Sequence, residues 1–399
     1  MPKPQWSDFG AMWKTVREVD VNAIRHEAER GLVIACVGDV VSLAWVGHVL
    51  HDGPSRYPLG PDPLALVPLP EAGEHVGLLA AADLLILALD ATSPLDGPGL
   101  AGLQRLSATP RPDQVVLLFG DPSRAPESWS EYLRRGAAIM VDPQSRVAAE
   151  VVATAVLDGL PPQAQLAAAR RLPGLRSLFA SRLTAEVSAT NAAVAFASGV
   201  PSLVPILGIP LAAADTVILT KNQALMVYRL ALACGAPPEF QKRMLEITPV
   251  IGGAVMWRQI AAALVGLVPG YGIVPKTAVA YGGTYIVGLA ATRWSETGLL
   301  TDAERKRITA EAASRARDAA RKMAAQARAG GGKAGARARS GLDKVAEGAS
   351  TARAQAGKAV SRARTATVSA GTQARGAAKR VGDGSRRIVG RTRRTKEEP

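Results

Sequence analysis

Apolar residues follow two rhythms along the chain, and the rhythm changes once. From residue 32 to 160, apolar runs of strand length alternate with helix-like or loop segments: Leu32–Val37, Leu64–Leu69, Leu84–Leu89, Val115–Phe119 and Ala138–Val141. Continuous apolar runs bounded by turn residues suit strands covered on both faces, so the pattern predicts a mostly parallel sheet with crossover helices. Pro161-Pro162 closes this unit. From residue 163 to 298 the period is helical, interrupted by Pro201, Pro205, Pro210, Pro237-Pro238, Pro249, Pro269-Gly270 and Pro275. Gly235 followed by Pro237 predicts the end of the helix holding Lys221 to Cys234.

Helical spacing also marks both flanks. Trp6, Phe9, Trp13 and Val16 share one face, and Ala23 to Arg30 continues that helix up to Gly31. Thr301-Asp302-Ala303-Glu304 has the form of a capping box, which predicts a helix start and an Ala/Arg/Lys-rich helix reaching Ala329. Beyond Gly330-Gly331-Gly332 the composition falls to Ala, Arg, Gly, Lys, Ser and Thr, too little apolar surface to offset ordering entropy. The expected organisation is therefore a helix at 1–30, an α/β domain at 31–162, a helical domain at 163–300, a basic helix at 301–329 and a disordered tail at 330–399. In fold class this is α/β followed by all-α.

Val187–Ala214 is the longest run without a charge. A bilayer span needs about 20 apolar residues, and this run is long enough. Its three prolines with Gly199 and Gly208 divide it, however, and Pro269-Gly270 divides the uncharged stretch Gln259–Pro275 in the same way. Broken pairs of this kind predict a helical-hairpin bundle that either meets one leaflet or is buried within the protein.

Charge sharpens the partner class. The chain of 399 residues carries a net +14, yet residues 301–399 hold 25 Lys+Arg against 9 Asp+Glu, and the other 300 residues are close to neutral. The asymmetry points to a polyanion met by the C-terminal segment: an anionic membrane surface or nucleic acid. Arg386, Arg387, Arg391, Arg393, Arg394 and Lys396 form the densest cluster. No aromatic residue lies between Lys306 and Pro399, which removes base stacking as a mode of binding. Two isolated cysteines, Cys36 and Cys234, fit a reducing cytoplasm, and the first residues show no secretory pattern.

Candidate chemistry is sparse. The α/β unit has the layout of a small GTPase, but its motif positions are degenerate. After Leu32–Val37 comes Gly38-Asp39-Val40-Val41-Ser42-Leu43-Ala44-Trp45, without the second glycine and lysine of a phosphate-binding loop. Pro68 and Glu71 stand where the magnesium-linked Asp and the switch glycine are expected, and only Asp121 remains of a guanine-reading motif. GTP hydrolysis is not expected, nor is a cofactor. His48 and His51 at i, i+3 lack a third metal ligand. No Ser-His-Asp set, paired-carboxylate motif or dinucleotide fingerprint stands out.

The helical block carries a further resemblance. Thr190-Asn191-Ala192-Ala193, Leu203-Val204-Pro205-Ile206-Leu207-Gly208, Asp215 to Gln223 and Val265-Gly266-Leu267-Val268-Pro269-Gly270 are similar to a bacterial helical domain of unknown function that commonly follows Era-type GTPase domains. The similarity spans residues 185–295. It implies an all-helical, membrane-associated module and brings no activity. Within it, Asp215 and Asn222 share a helix face flanked by Lys221 and Gln223. That polar seam either binds a partner, ion or headgroup, or forms an internal network with Asp215 as a helix cap. The leading expectation is a cytoplasmic, membrane-associated scaffold contacting anionic lipid or an integral partner. The alternatives are a nucleoid-associated protein using the tail on DNA, and a divergent nucleotide switch.

Overall fold

The computed structural model describes residues 21–92, 97–108, 114–120, 138–197, 211–239 and 273–329. The chain divides into two compact units, Met1–Ala325 and Gln326–Pro399, and the sheet with the helices packed on it belongs to the first.

All five anticipated strands form: β1 (Ile34–Gly38), β2 (Leu64–Pro68), β3 (Leu84–Asp90), β4 (Gln114–Phe119) and β5 (Ala138–Val141). Every pairing is parallel, in the order β2-β1-β3-β4-β5. Helices flank the strands: α1 (Asn22–Glu29) before the sheet, α2 (Val40–His51), α3 (Val76–Ala81) and α4 (Gly97–Ala108) in the first three connections, and α5 (Ala148–Gly159) after β5. Alternation along the strands divides the core in two. Ile34, Cys36, Leu84, Ile86, Val115 and Leu117 face one side, with α1, α2 and α5. Ala35, Val37, Leu85, Leu87, Val116 and Leu118 face the other, closed by Leu79 of α3 and Leu106 of α4.

The helical block comprises α6 (Pro162–Arg171), α7 (Arg176–Ala197), α8 (Leu211–Ala233), α9 (Ile273–Thr297) and α10 (Asp302–Ala329). Its near end joins the first core, since Leu166 of α6, Leu230 of α8 and Ala291 of α9 belong to the same buried cluster as Ile34 and Ile86. Three arginines fasten this junction through backbone carbonyls. Arg176 is 1% exposed. It donates from Nε to Ala169 O (3.1 Å), from Nη1 to Pro54 O (2.7 Å) and from Nη2 to Arg170 O (3.1 Å). Arg170 donates to Leu232 O and Ala236 O, and Arg171 to Arg30 O.

The carbonyls that Arg170 takes belong to the end of α8, which closes as anticipated at Gly235. Gly235 has φ +88°. Its N–H donates to Leu232 O and that of Ala236 to Ala231 O, the paired bonds of a Schellman motif. Tyr228 adds a bond from its hydroxyl to Pro238 O.

α10 begins at the anticipated capping box. Thr301 N and Oγ1 both donate to Glu304 Oε2, and Glu304 N donates to Thr301 Oγ1 at 3.2 Å. Arg293 of α9 takes the other carboxylate oxygen. Ile308, Ala312 and Ala316 then lie against Tyr281, Tyr285, Ile286 and Ala290 of α9. Tyr285 donates to Glu311 Oε1 at 3.0 Å, and Arg315 stacks 5.0 Å above its ring.

Two outcomes are expected. Arg176→Met leaves three carbonyls without their charged donor and lowers stability by about 3–5 kcal/mol, measured by urea denaturation. The bonds from Thr301 hold the Glu304 carboxyl down at about 2, against an ordinary 4.5. A depressed carboxyl stabilises the fold fully above its unfolded pKa and loses that contribution as pH falls through the folded value. Stability should therefore drop between pH 4.5 and about 2, and Glu304→Gln should flatten that part of the acid titration followed by circular dichroism.

Candidate functional site

In a parallel sheet ordered 2-1-3-4-5, the chain leaves β1 to opposite sides, and ligands of such folds lie outside the carboxyl ends of the strands at that switch point. The two candidate residues Gly38 and Asp39 stand there. Gly38 pairs with Ala88 across β1 and β3. A Cβ at Gly38 would come within 2.0 Å of Ala88 O, so this glycine serves close strand approach.

Only Asp39 separates the end of β1 from the start of α2. It is the N-cap, and its Oδ1 accepts from Ser42 N at 2.9 Å. A phosphate cradle needs several convergent backbone N–H groups and a cation. Here a carboxylate already occupies the helix N-terminus. Its other oxygen, Oδ2, is buried without a partner.

The rest of the rim is closed by the chain's own groups. Asp90 Oδ1 accepts from Thr92 N (2.8 Å) and Thr92 Oγ1 (2.7 Å). Thr92 in turn lies against Gly120, whose φ is +82°. Trp45 of α2 meets Phe119 edge-on at 5.4 Å, at the carboxyl end of β4. Gly38–Ser42, Pro68–Glu71, Asp90–Thr92 and Phe119–Gly120 contain three acids, Asp39, Glu71 and Asp90, and no lysine or arginine. Val40 and Val41 stand 70% and 79% exposed beside this acidic rim. Asp121 lies outside the described residues.

The polar seam of α8 divides. Asn222 donates from Nδ2 to Asn191 Oδ1 (2.9 Å), and Asn191 donates from its own Nδ2 to Thr284 Oγ1 (2.9 Å). Gln223 donates to the same Thr284 Oγ1 (3.0 Å), which donates onward to Ala280 O (2.8 Å). The four side chains tie α7, α8 and α9 together at one level. Lys221 is exposed and outside this network. Asp215 is four residues inside α8, which starts at Leu211, so the cap role expected for it does not hold. A cap has non-helical backbone, whereas Leu211 and the alanines 212–214 carry the helix past that point. Thr184 and Ser188 line the neighbouring stretch of α7, fully buried, and a Cβ on Gly288 would press within 2.5 Å of Thr184.

Among the described residues no helix is long and apolar enough to cross a membrane. The Val187–Ala214 run enters α7 at 187–197 and α8 at 211–214, on two helices that run antiparallel, since Asn222 bonds Asn191 and Gly235 after α8 lies beside Arg176 at the start of α7. Its prolines and the stretch 240–272 lie outside the described residues, as do Trp6, Trp13 and the cluster Arg386 to Lys396. His51 bonds Gly47 O and Asp62. No group of three metal-ligating side chains occurs among the described residues. Both cysteines are buried, and burial pushes the Cys234 thiol up to about 12, away from a reactive thiolate.

Comparison with known protein families, curated proteins and solved structures finds no match to this chain.

Asn191→Ala is expected to strand the Asn222 donor and remove the donor to Thr284, costing about 2–3 kcal/mol in urea denaturation. Asn191→Ala with Asn222→Ala should cost less than the sum of the two single changes, the mark of a shared bond.

Proposed function

We propose that the protein is a non-catalytic, membrane-associated scaffold. In this reading the α/β unit is a GTPase-like fold kept as an interaction platform, the helical block meets the bilayer or an integral partner, and the basic C-terminal segment holds anionic headgroups. The observation that carries the non-catalytic part is the one-residue turn from β1 to α2, whose Asp39 carboxylate takes the position a bound phosphate would need. The Asn191–Thr284–Gln223 network supports an architectural role for the polar seam, because each amide is bonded to a neighbouring helix. The charge asymmetry of the C-terminal segment supports the anionic surface as partner.

Cell fractionation of the full chain at low salt should place it with membranes and release it at high salt. Recovery wholly in the supernatant at low salt would overturn the reading. Titration calorimetry with magnesium–GTP and with ATP at millimolar concentration should give no binding heat. Measurable binding would favour the nucleotide switch instead.

A further inference from the structure

The outward face of α10 combines three independent features. Its buried stripe, Ile308, Ala312 and Ala316, is committed to α9. At 3.6 residues per turn, Lys306, Ala310, Arg317 and Arg321 fall within about 60° of one another on the opposite side of the helix. All four are exposed, as are Arg307 beside them and Lys322 farther round the helix, while Ala313, just beyond Lys306, is buried and marks the edge of the open arc.

The acids of the helix are largely engaged elsewhere. Glu304 is held by Thr301 and Arg293, Glu311 by Tyr285 and Arg315, and Asp302 pairs with Arg305. Asp318 is the exception on the exposed side. Among the described residues no ion pair involves Lys306, Arg307, Arg317, Arg321 or Lys322. Three bases, Lys306, Arg317 and Arg321, thus project from a ridge about 22 Å long, at about 1.5 Å per residue from Lys306 to Arg321, with Arg307 about 40° to one side.

We propose that this ridge is a docking surface for a planar anionic lipid bilayer, with α10 lying along the membrane plane. The inference rests on the scaffold reading and assigns its membrane contact to a folded helix as well as to the tail. The partner is a bilayer here because the ridge adjoins in sequence the basic C-terminal segment that the scaffold reading sets on anionic headgroups. α10 is backed by α9 and presents one edge. A plane meets such an edge along its whole length, and long basic side chains extend to headgroups without burying apolar surface. The outward positions 306, 310, 317 and 321 include no large apolar residue, so attachment is electrostatic and reversible by salt.

The test uses the full chain and two variants, with vesicles of phosphatidylcholine alone and of phosphatidylcholine with phosphatidylglycerol. Lys306→Gln, Arg317→Gln and Arg321→Gln together should weaken binding to the mixed vesicles about a hundredfold, at about fivefold per base. Replacing the two arginines by lysine should preserve it. In the unaltered chain, mixed vesicles should protect Lys306 from acetylation, and phosphatidylcholine vesicles should not. This readout needs no variant to fold. Binding retained by the glutamine variant, with loss only when Arg386, Arg387, Arg393 and Arg394 are neutralised, overturns this inference and leaves the scaffold reading standing. Failure of the unaltered chain to bind mixed vesicles overturns both. Loss of duplex DNA affinity in the glutamine variant with vesicle affinity unchanged would make the ridge a nucleic-acid surface, and the inference wrong.

Discussion

The two halves of the folded unit meet over one buried guanidinium. Arg176 stands at the first position of α7 and reaches the last turn of α6 and the loop after α2 at once, through Ala169, Arg170 and Pro54. Among the described residues no carboxylate bonds it directly. Its charge is solvated instead by three carbonyl dipoles, and burial pushes its pKa below the usual guanidinium range while Cys234 and Glu296 oppose the change. Hydrogen bonds to an ionised group contribute about 1.5–3 kcal/mol each, and the one to Pro54 O ties the loop from Asp52 to Pro63 to the helical block, where Tyr57 also packs on the apolar core. Gly53 against Pro173, Gly235 against Tyr57 and Arg56 between Tyr57 and Trp294 follow from that placement.

Farther along the bundle, the interior is held by amides and hydroxyls in close quarters. Asn191, Asn222, Gln223 and Thr284 satisfy one another in a setting where an unpaired amide costs about 1–3 kcal/mol. Such a network fixes the rotation of each helix, because a turn of either neighbour leaves several groups unbonded together. Small residues permit the approach: Gly288 of α9 leaves room for Thr184 of α7, and Ala192 packs with Ala278 and Ala290.

Local signals were the ones legible in the sequence. The strand runs were recognisable because the three inner strands are covered on both faces and polar residues are excluded from all five runs. Thr301 with Glu304, and Gly235 ahead of Pro237, act within a few residues of themselves, so spacing alone revealed the start of α10 and the end of α8. The seam at Asn222 and Gln223 was visible as polarity in an apolar helix, but its partners lie 31 and 61 positions away and no spacing rule connects them. Arg176 drew no notice in the sequence, since nothing local distinguishes a buried guanidinium from a solvated one. The basic ridge of α10 was hidden for a related reason: composition reports how many charges a helix holds, and only packing against α9 decides which of them face outward. Asp215 misled because helix propensity upstream outweighed its preference for a terminus.

The turn from β1 to α2 has a consequence for how this protein can change. Its acidic residue is exchangeable, but its length is set by the direct passage from Gly38 at the strand end to Val40 at the helix start. Giving the turn enough backbone to wrap a phosphate would require inserted residues that bulge outward, because Leu43, Val46 and Leu50 are buried on the sheet and hold α2 in its present seat. Point substitution alone therefore offers no continuous route to a nucleotide grip, and drift at this position is confined to the surfaces around it.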